Sequence, residues 1–188
     1  MPRYPPEGLP AVPANGYDGS TRTSTNGDHT LQRLFFEDFS PGQTFRGPTR
    51  IRVDAAAIKA FAAEFDPQPF HMDEEAAKET IFAGLAASGW HTSAITMRLL
   101  VDSELKIQGG LVGLGLQELR WPRPVRPGDE LRVETEVLDT RESKSRPQQG
   151  LVRARNTTLN QNDEVVQISV NTMIVPRRAG ADAPAAGG

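Results

Sequence analysis

SGWHTSAITMRLLVDS, residues 88–103, is the stretch on which the reading of the fold turns. Ser88 can cap a helix running from Gly89 to about Ser103, because its hydroxyl can accept one of the free N–H groups of the first turn. Trp90, Ala94, Ile95, Met97, Leu99, Leu100 and Val101 surround much of that helix. A helix apolar on most sides is a buried one. Beyond the helix the hydrophobic period changes. From Glu130 to Leu138 the residues Leu131, Val133, Thr135 and Val137 alternate with charges, which predicts a half-buried antiparallel strand. Leu151–Leu159 and Val165–Val175 read the same way, the latter with Ile168, Val170, Thr172 and Ile174 on one face. Asn160-Gln161-Asn162-Asp163 is a hairpin turn between them, and Pro127-Gly128-Asp129 a turn before the first. Gly110 to Trp121 is a further strand, whose glycines at 110, 113 and 115 suggest a bulge or a close approach. Gln43–Val53 is a fifth. One buried helix followed by antiparallel strands predicts an α+β domain, its curved sheet wrapped around the helix.

Working outward, Asp54 caps a helix to Phe65, with Ile58, Phe61, Ala62 and Phe65 at helical spacing. Asp73 caps a short acidic helix from Glu74 to Lys78. Residues 1–33 are rich in Pro, Gly, Ser, Thr and Asn and read as a disordered or loosely draped arm. Residues 177–188 read as a second tail, which leaves 34–176 as one folded domain.

The 188 residues carry a formal net charge of −3 and no cysteine, with a pI near 5.7. That balance argues against a nucleic-acid partner. Disulfides, thiolate metal sites and cysteine nucleophiles are excluded. His29, His71 and His91 are the only histidines. A three-histidine metal site would need all of them, and His29 lies in the expected arm, so no metal is expected. No apolar run reaches the ~18 residues of a membrane span. The first residues do not read as a secretory signal. The expected location is the cytoplasm.

Two segments can carry chemistry. In Asp66-Pro67-Gln68-Pro69-Phe70-His71 two prolines stop a helix and stiffen the backbone. They hold a carboxylate and an imidazole at the ends of a short loop, where the two could share a proton and activate water. The same residues also read as a plain turn whose Asp caps and whose His packs. In Ser88-Gly89-Trp90-His91 the helix start offers free N–H groups. Gly89 would let a ligand oxygen come close, as an oxyanion hole requires. An ordinary cap beside a close-packing glycine explains these residues equally. His91 reads as a packed or surface side chain.

Phe61 to Arg98, FAAEFDPQPFHMDEEAAKETIFAGLAASGWHTSAITMR, together with Trp121-Pro122-Arg123-Pro124-Val125-Arg126-Pro127-Gly128-Asp129-Glu130-Leu131, resembles the MaoC-like dehydratases, a family that includes the R-specific enoyl-CoA hydratases. The pattern is D-x-x-P-x-H, a short acidic helix, Ser-Gly opening a buried helix, then P-V-x-x-G-D. The resemblance implies a hotdog fold. It implies that Asp66 and His71 hold and activate a water, and that the Gly89 N–H polarises a thioester carbonyl. Gln68 takes the position where the hydratases commonly carry Asn, and Ser88 the one where many members carry His; both are assigned to substrate binding. Met97 stands where some relatives place a Ser or Thr that orients the histidine, with Ser93 and Thr96 nearby.

The implied reaction is reversible hydration of a trans-2-enoyl thioester, without metal or redox cofactor. The substrate would be a thioester of CoA or of a carrier protein, and Arg120, Arg123 and Arg126 are candidates for its phosphates. Two alternatives differ in class. A hotdog thioesterase would usually place a carboxylate early on the buried helix, and Gly89–Met97 carries none. A non-catalytic acyl-CoA-binding protein would account for Gln68 and Ser88. A sheet that wraps one helix leaves edges to cover, so a homodimer is expected.

Overall fold

A computed structural model describes residues 33–179. Four helices, α1 (Ala55–Phe65), α2 (Pro69–Met72), α3 (Glu74–Lys78) and α4 (Gly89–Asp102), precede most of the sheet. The strands are β1 (Thr44–Arg46), β2 (Ile51–Arg52), β3 (Val112–Arg120), β4 (Glu130–Glu142), β5 (Gln149–Leu159) and β6 (Val165–Pro176). All strand pairings are antiparallel. The order is β1-β4-β5-β6-β3, with β2 also paired to β4. Leu99, Ile58, Val125, Leu131 and Val166 form the core between the helices and the sheet. A second apolar cluster, around Phe39, Phe45, Val152 and Val175, fills the other end. This is the α+β hotdog arrangement.

The caps stand where the side-chain chemistry puts them. Asp54 accepts from the Ala57 N–H, Asp73 from Glu75 and Ala76, and Ser88 from Trp90. β4 buries Leu131, Val133, Thr135 and Val137 as its alternation predicts. Asn160 Oδ1 accepts from the N–H groups of Asn162 and Glu164 and closes the β5–β6 turn. The glycine-rich β3 is bulged, its register against β6 shifting between Gly113 and Gly115.

Four readings need correction. The strand expected over 43–53 is two short strands, β1 and β2. Gly47 lies so close to Ser103 that a Cβ would come within 2.9 Å of its Cα, and Pro48 cannot donate to a ladder. Asp66 and His71 do not end a loop: residues 69–72 form a helical turn with Pro69 at its first position, where a missing N–H costs nothing. α4 is not buried all round. Ile95, Leu99 and Leu100 face the core, whereas Trp90, Met97 and Val101 are half exposed or more. The sheet covers one side of the helix, and among the described residues nothing covers the other.

Strand β6 also differs from its expected pattern. Of Ile168, Val170, Thr172 and Ile174 only Val170 is buried, and the residues that face the buried side of β5 are the alternate set. Met173 lies opposite Val152, Asn171 opposite Ala154, Ser169 opposite Asn156 and Gln167 opposite Thr158. Val152, Ala154, Asn156 and Thr158 are the buried face of β5. Polar side chains on that inner face misdirect a pattern based on hydropathy alone.

The arm of residues 1–32 and the tail from 180 onward, with His29, lie outside the described residues. Arg177 and Arg178, read as tail, are held. Arg177 pairs with Glu37, and Arg178 pairs with Asp38 and lies over the Phe35 ring.

Leu99 is 2% exposed at the centre of the core. Leu99→Ala is expected to cost about 2–5 kcal/mol, read as a lowered urea midpoint with unchanged slope.

Candidate active site

The site forms where the end of α1, the α2 turn and the start of α4 meet. Helix α1 stops at Phe65, before Pro67, and Asp66 is its C-cap. Pro69 opens the α2 turn, and His71 lies on it, buried. The two residues thus come together: His71 Nε2 is 3.4 Å from Asp66 Oδ2.

Every other polar atom of the pair has a partner. His71 Nδ1 lies 2.7 Å from the Ala86 carbonyl oxygen. A carbonyl only accepts, so Nδ1 carries hydrogen, and in the neutral ring the lone pair is on Nε2, facing Asp66. Asp66 Oδ2 accepts from the Ser88 hydroxyl at 2.7 Å and Oδ1 from the Gln68 amide at 2.6 Å. Burial pushes the Asp66 carboxyl upward. The hydrogen bonds from Gln68 and Ser88 and the charge of His71 outweigh it and hold the carboxyl below its ordinary value.

Ser88 therefore has two roles. It caps α4 through the Trp90 N–H and donates to Asp66. Gly89 is next, at the first helical position, and its N–H has no partner among the described residues. Glycine is required here for a reason beyond access. The Trp121 ring lies over it, and a Cβ would come within 2.7 Å of that ring.

His71, Gly89, Gln68, Thr92, Trp121 and Arg123 line a cleft of about 510 Å³. Phe70 and Phe82 flank the imidazole, Phe70 edge-on at 4.5 Å. Of the three candidate arginines, only Arg123 lines this cleft; it pairs with Glu164 at 3.5 Å. Arg120 pairs with Glu118 outside it.

Arg126 is a structural clamp and not a phosphate contact. Its guanidinium donates to the carbonyls of Phe82, Gly84 and Leu85. The next carbonyl along, that of Ala86, is the one that sets the His71 tautomer. Met97, Ser93 and Thr96 do not reach the cleft. Thr92 does, buried one turn past Ser88 and donating to its carbonyl. Thr92, Trp121 and the Ala86 carbonyl carry no signal in the sequence that marks them for the site. His91 packs face to face on Phe61 at 4.7 Å, outside this cleft. Burial lowers its pKa, against the charge of Asp54. Among the described residues no group of three or more His, Asp or Glu could hold a metal ion, and no helix is long and apolar enough to cross a membrane.

The model of the MaoC like domain matches residues 37–161. The chain belongs to the MaoC-like dehydratase family. It is 60% identical to a MaoC-like dehydratase from Rhodospirillum rubrum, whose crystal structure superposes with a TM-score of 0.75 over 78% of this chain and 99% of that one. It is 34% identical over 127 residues to the uncharacterized protein YdeM of Bacillus subtilis, 68% of this chain and 88% of that protein. An (R)-hydratase from A. caviae involved in PHA biosynthesis is 26% identical with a TM-score of 0.59, over 74% of this chain and 99% of that one. Membership places this MaoC-like protein among hydratases and dehydratases of the hotdog fold.

Because folding depresses the Asp66 pKa, the ionised carboxylate favours the fold above its unfolded value; that contribution is lost as pH falls through the folded value. Ser88→Ala removes one of the stabilising donors. NMR titration of the Asp66 carboxyl is expected to show its pKa rising in that variant. The lost cap should cost about 1 kcal/mol of stability.

Proposed function

We propose that the protein catalyses the reversible addition of water to a trans-2-enoyl thioester, with Asp66 and His71 as its catalytic residues. The observation that carries this reading is the locked tautomer of His71, which aims the basic Nε2 at an ionised carboxylate beside an unpaired helix-start N–H. Likeness to an (R)-hydratase and membership in the family support it.

In the proposed reaction a water sits between His71 Nε2 and Asp66. Nε2 takes one of its protons as the oxygen bonds to C3 of the substrate, and Asp66 balances the imidazolium. The C2–C3 π electrons move toward the thioester oxygen. The Gly89 N–H and the positive end of α4 stabilise the charge there. The proton on Nε2 then passes to C2 and restores the neutral ring. The product is the 3-hydroxyacyl thioester, and the sequence runs equally in reverse. Gln68 and Ser88 act by holding Asp66, and Gln68 also faces the cleft and can reach substrate. Arg123, at the cleft wall, is suited to a phosphate of CoA or of a carrier-protein arm.

Asp66→Asn keeps the shape and removes the charge. It is expected to lower kcat/KM for crotonyl-CoA hydration by about 100-fold or more, followed as loss of the enoyl-thioester absorbance. Undiminished hydration would sink the assignment. Release of free thiol without hydration would favour a thioesterase instead.

The protein is further proposed to work as a homodimer. β3 ends the strand order, so among the described residues one of its edges is unpaired. Val112, Leu114 and Leu116 on β3 and Trp90, Met97 and Val101 on α4 are all exposed in one chain, and a second copy would cover them. Sedimentation is expected to give twice the chain mass, and Leu114→Lys a lighter species; a folded single-chain species of the unmodified protein at micromolar concentration would count against the dimer.

A further inference from the structure

The polar face of β6 lines a second cavity, of about 290 Å³, between α4 and strands β3, β5 and β6. Its walls are apolar, with Trp90, Met97, Leu100 and Leu116 among them. Its floor is Asn156, Gln167, Ser169 and Asn171, and among the described residues no charged side chain lines it.

The floor is oriented. Gln167 is 2% exposed. Trp121 Nε1, which can only donate, lies 2.9 Å from Gln167 Oε1, and Ser93 Oγ lies 2.8 Å from the same oxygen. The amide is thereby fixed, and its Nε2 is left without a partner among the described residues. Asn171, which is half-buried, repeats the arrangement: its Oδ1 accepts from Asn156 Nδ2 at 2.8 Å, and its own Nδ2 has no partner among the described residues. Asn156 in turn accepts from Thr135 at 2.8 Å and donates toward Ser169. Each oxygen that holds the floor in place is used, and two amide donors are spare. Gln167 and Asn171 line the cavity, so an acceptor bound there can take up their spare N–H groups.

The two cavities adjoin at a tryptophan pair. Trp121 covers Gly89 in the catalytic cleft while its Nε1 rests on Gln167. Trp90 lines the second cavity and meets Trp121 edge-on at 5.7 Å. A thioester carbonyl at the Gly89 N–H, with its phosphates toward Arg123, would send its acyl end past this pair.

We propose that the second cavity receives the acyl end of the substrate, and that Gln167 Nε2 and Asn171 Nδ2 select acyl chains carrying an uncharged acceptor oxygen, a hydroxyl or a ketone. The assignment rests on the enoyl-thioester reading. A carboxylate is disfavoured because no cation lines the cavity to offset its lost hydration.

Saturated CoA thioesters without a 3-hydroxyl, which are not turned over, test this by calorimetry: butyryl- and hexanoyl-CoA, the same chains hydroxylated at C4 or beyond, and succinyl-CoA as the carboxylate. At least one hydroxyacyl-CoA is expected to bind about tenfold or more tighter than its parent, since a site built to bond an oxygen rejects the analogue lacking it. Succinyl-CoA should gain nothing. Gln167→Met, and Asn171→Asp, which keeps the oxygen that Asn156 uses, should each reduce the preference to about threefold or less. A preference absent from the whole series, one that survives both substitutions, or tightest binding of succinyl-CoA would overturn the assignment. Hydroxyacyl preference without any enoyl-CoA hydration would retain the cavity and remove the hydratase reading. Hydration with no hydroxyacyl preference would do the reverse.

Discussion

The hydroxyl of Ser88 joins the two halves of the site. It accepts the Trp90 N–H and so begins α4, and it donates to Asp66 Oδ2 and so fixes the carboxylate at the end of α1. One atom thereby sets the distance between a helix start with an unpaired N–H and a carboxylate 22 residues earlier in the chain. Gln68 holds the other carboxylate oxygen. Both donors are uncharged, so Asp66 keeps its full negative charge for His71, which a lysine or arginine in their place would neutralise. With its carboxylate held by two hydrogen bonds, Asp66 has little freedom to rotate away from the imidazole, which is the kind of pre-organisation that acid–base chemistry needs.

The second dependence runs through segment 82–86. Leu85 packs in the core and Phe82 lies against Phe70, and Arg126 binds three of the stretch's carbonyls. The Ala86 carbonyl is therefore held in place, and with it the proton on His71 Nδ1. A guanidinium is suited to this task because its donors form a rigid fork. The residue that looks like a phosphate ligand from its setting, in a run of arginines and prolines, instead maintains the tautomer of the histidine from a distance.

The inner face of the sheet differs in character at its two ends. Near Val152, Met173 and Val175 it is apolar and closed. Near Thr135, Asn156, Ser169 and Gln167 it is polar, with Asn156 bonded across strands to Thr135 and Ser169 and the Gln167 oxygen held by Ser93 and Trp121. Networks of this kind contribute little net stability, but they define a geometry. Their position next to the half-exposed side of α4 is consistent with a surface kept for a ligand and a partner rather than for the fold.

Elements set by local chemistry were legible in the sequence: the Asp54, Asp73 and Ser88 caps, the alternation of β4, the turn at Asn160, and the hotdog order of helix before strands. The D-x-x-P-x-H run singled out Asp66 and His71, because two closely spaced prolines restrict the backbone whatever surrounds it. Legibility ended where an answer depended on what lies across a gap. The face that β6 presents inward is decided by its pairing with β5, and its polar side chains serve a cavity rather than the core. The partly exposed flank of α4 is decided by how far the sheet reaches. Gly89 is required by the ring of Trp121, distant in sequence, and the role of Arg126, one of three candidate phosphate contacts, is decided by carbonyls that only folding brings to it. By itself the sequence determined the elements, their caps and the candidate pair Asp66 and His71, since these depend on neighbours along the chain. Only the tertiary structure decided the tautomer of His71, the charge state favoured at Asp66 and the polar floor beside it, since each depends on atoms that meet through space.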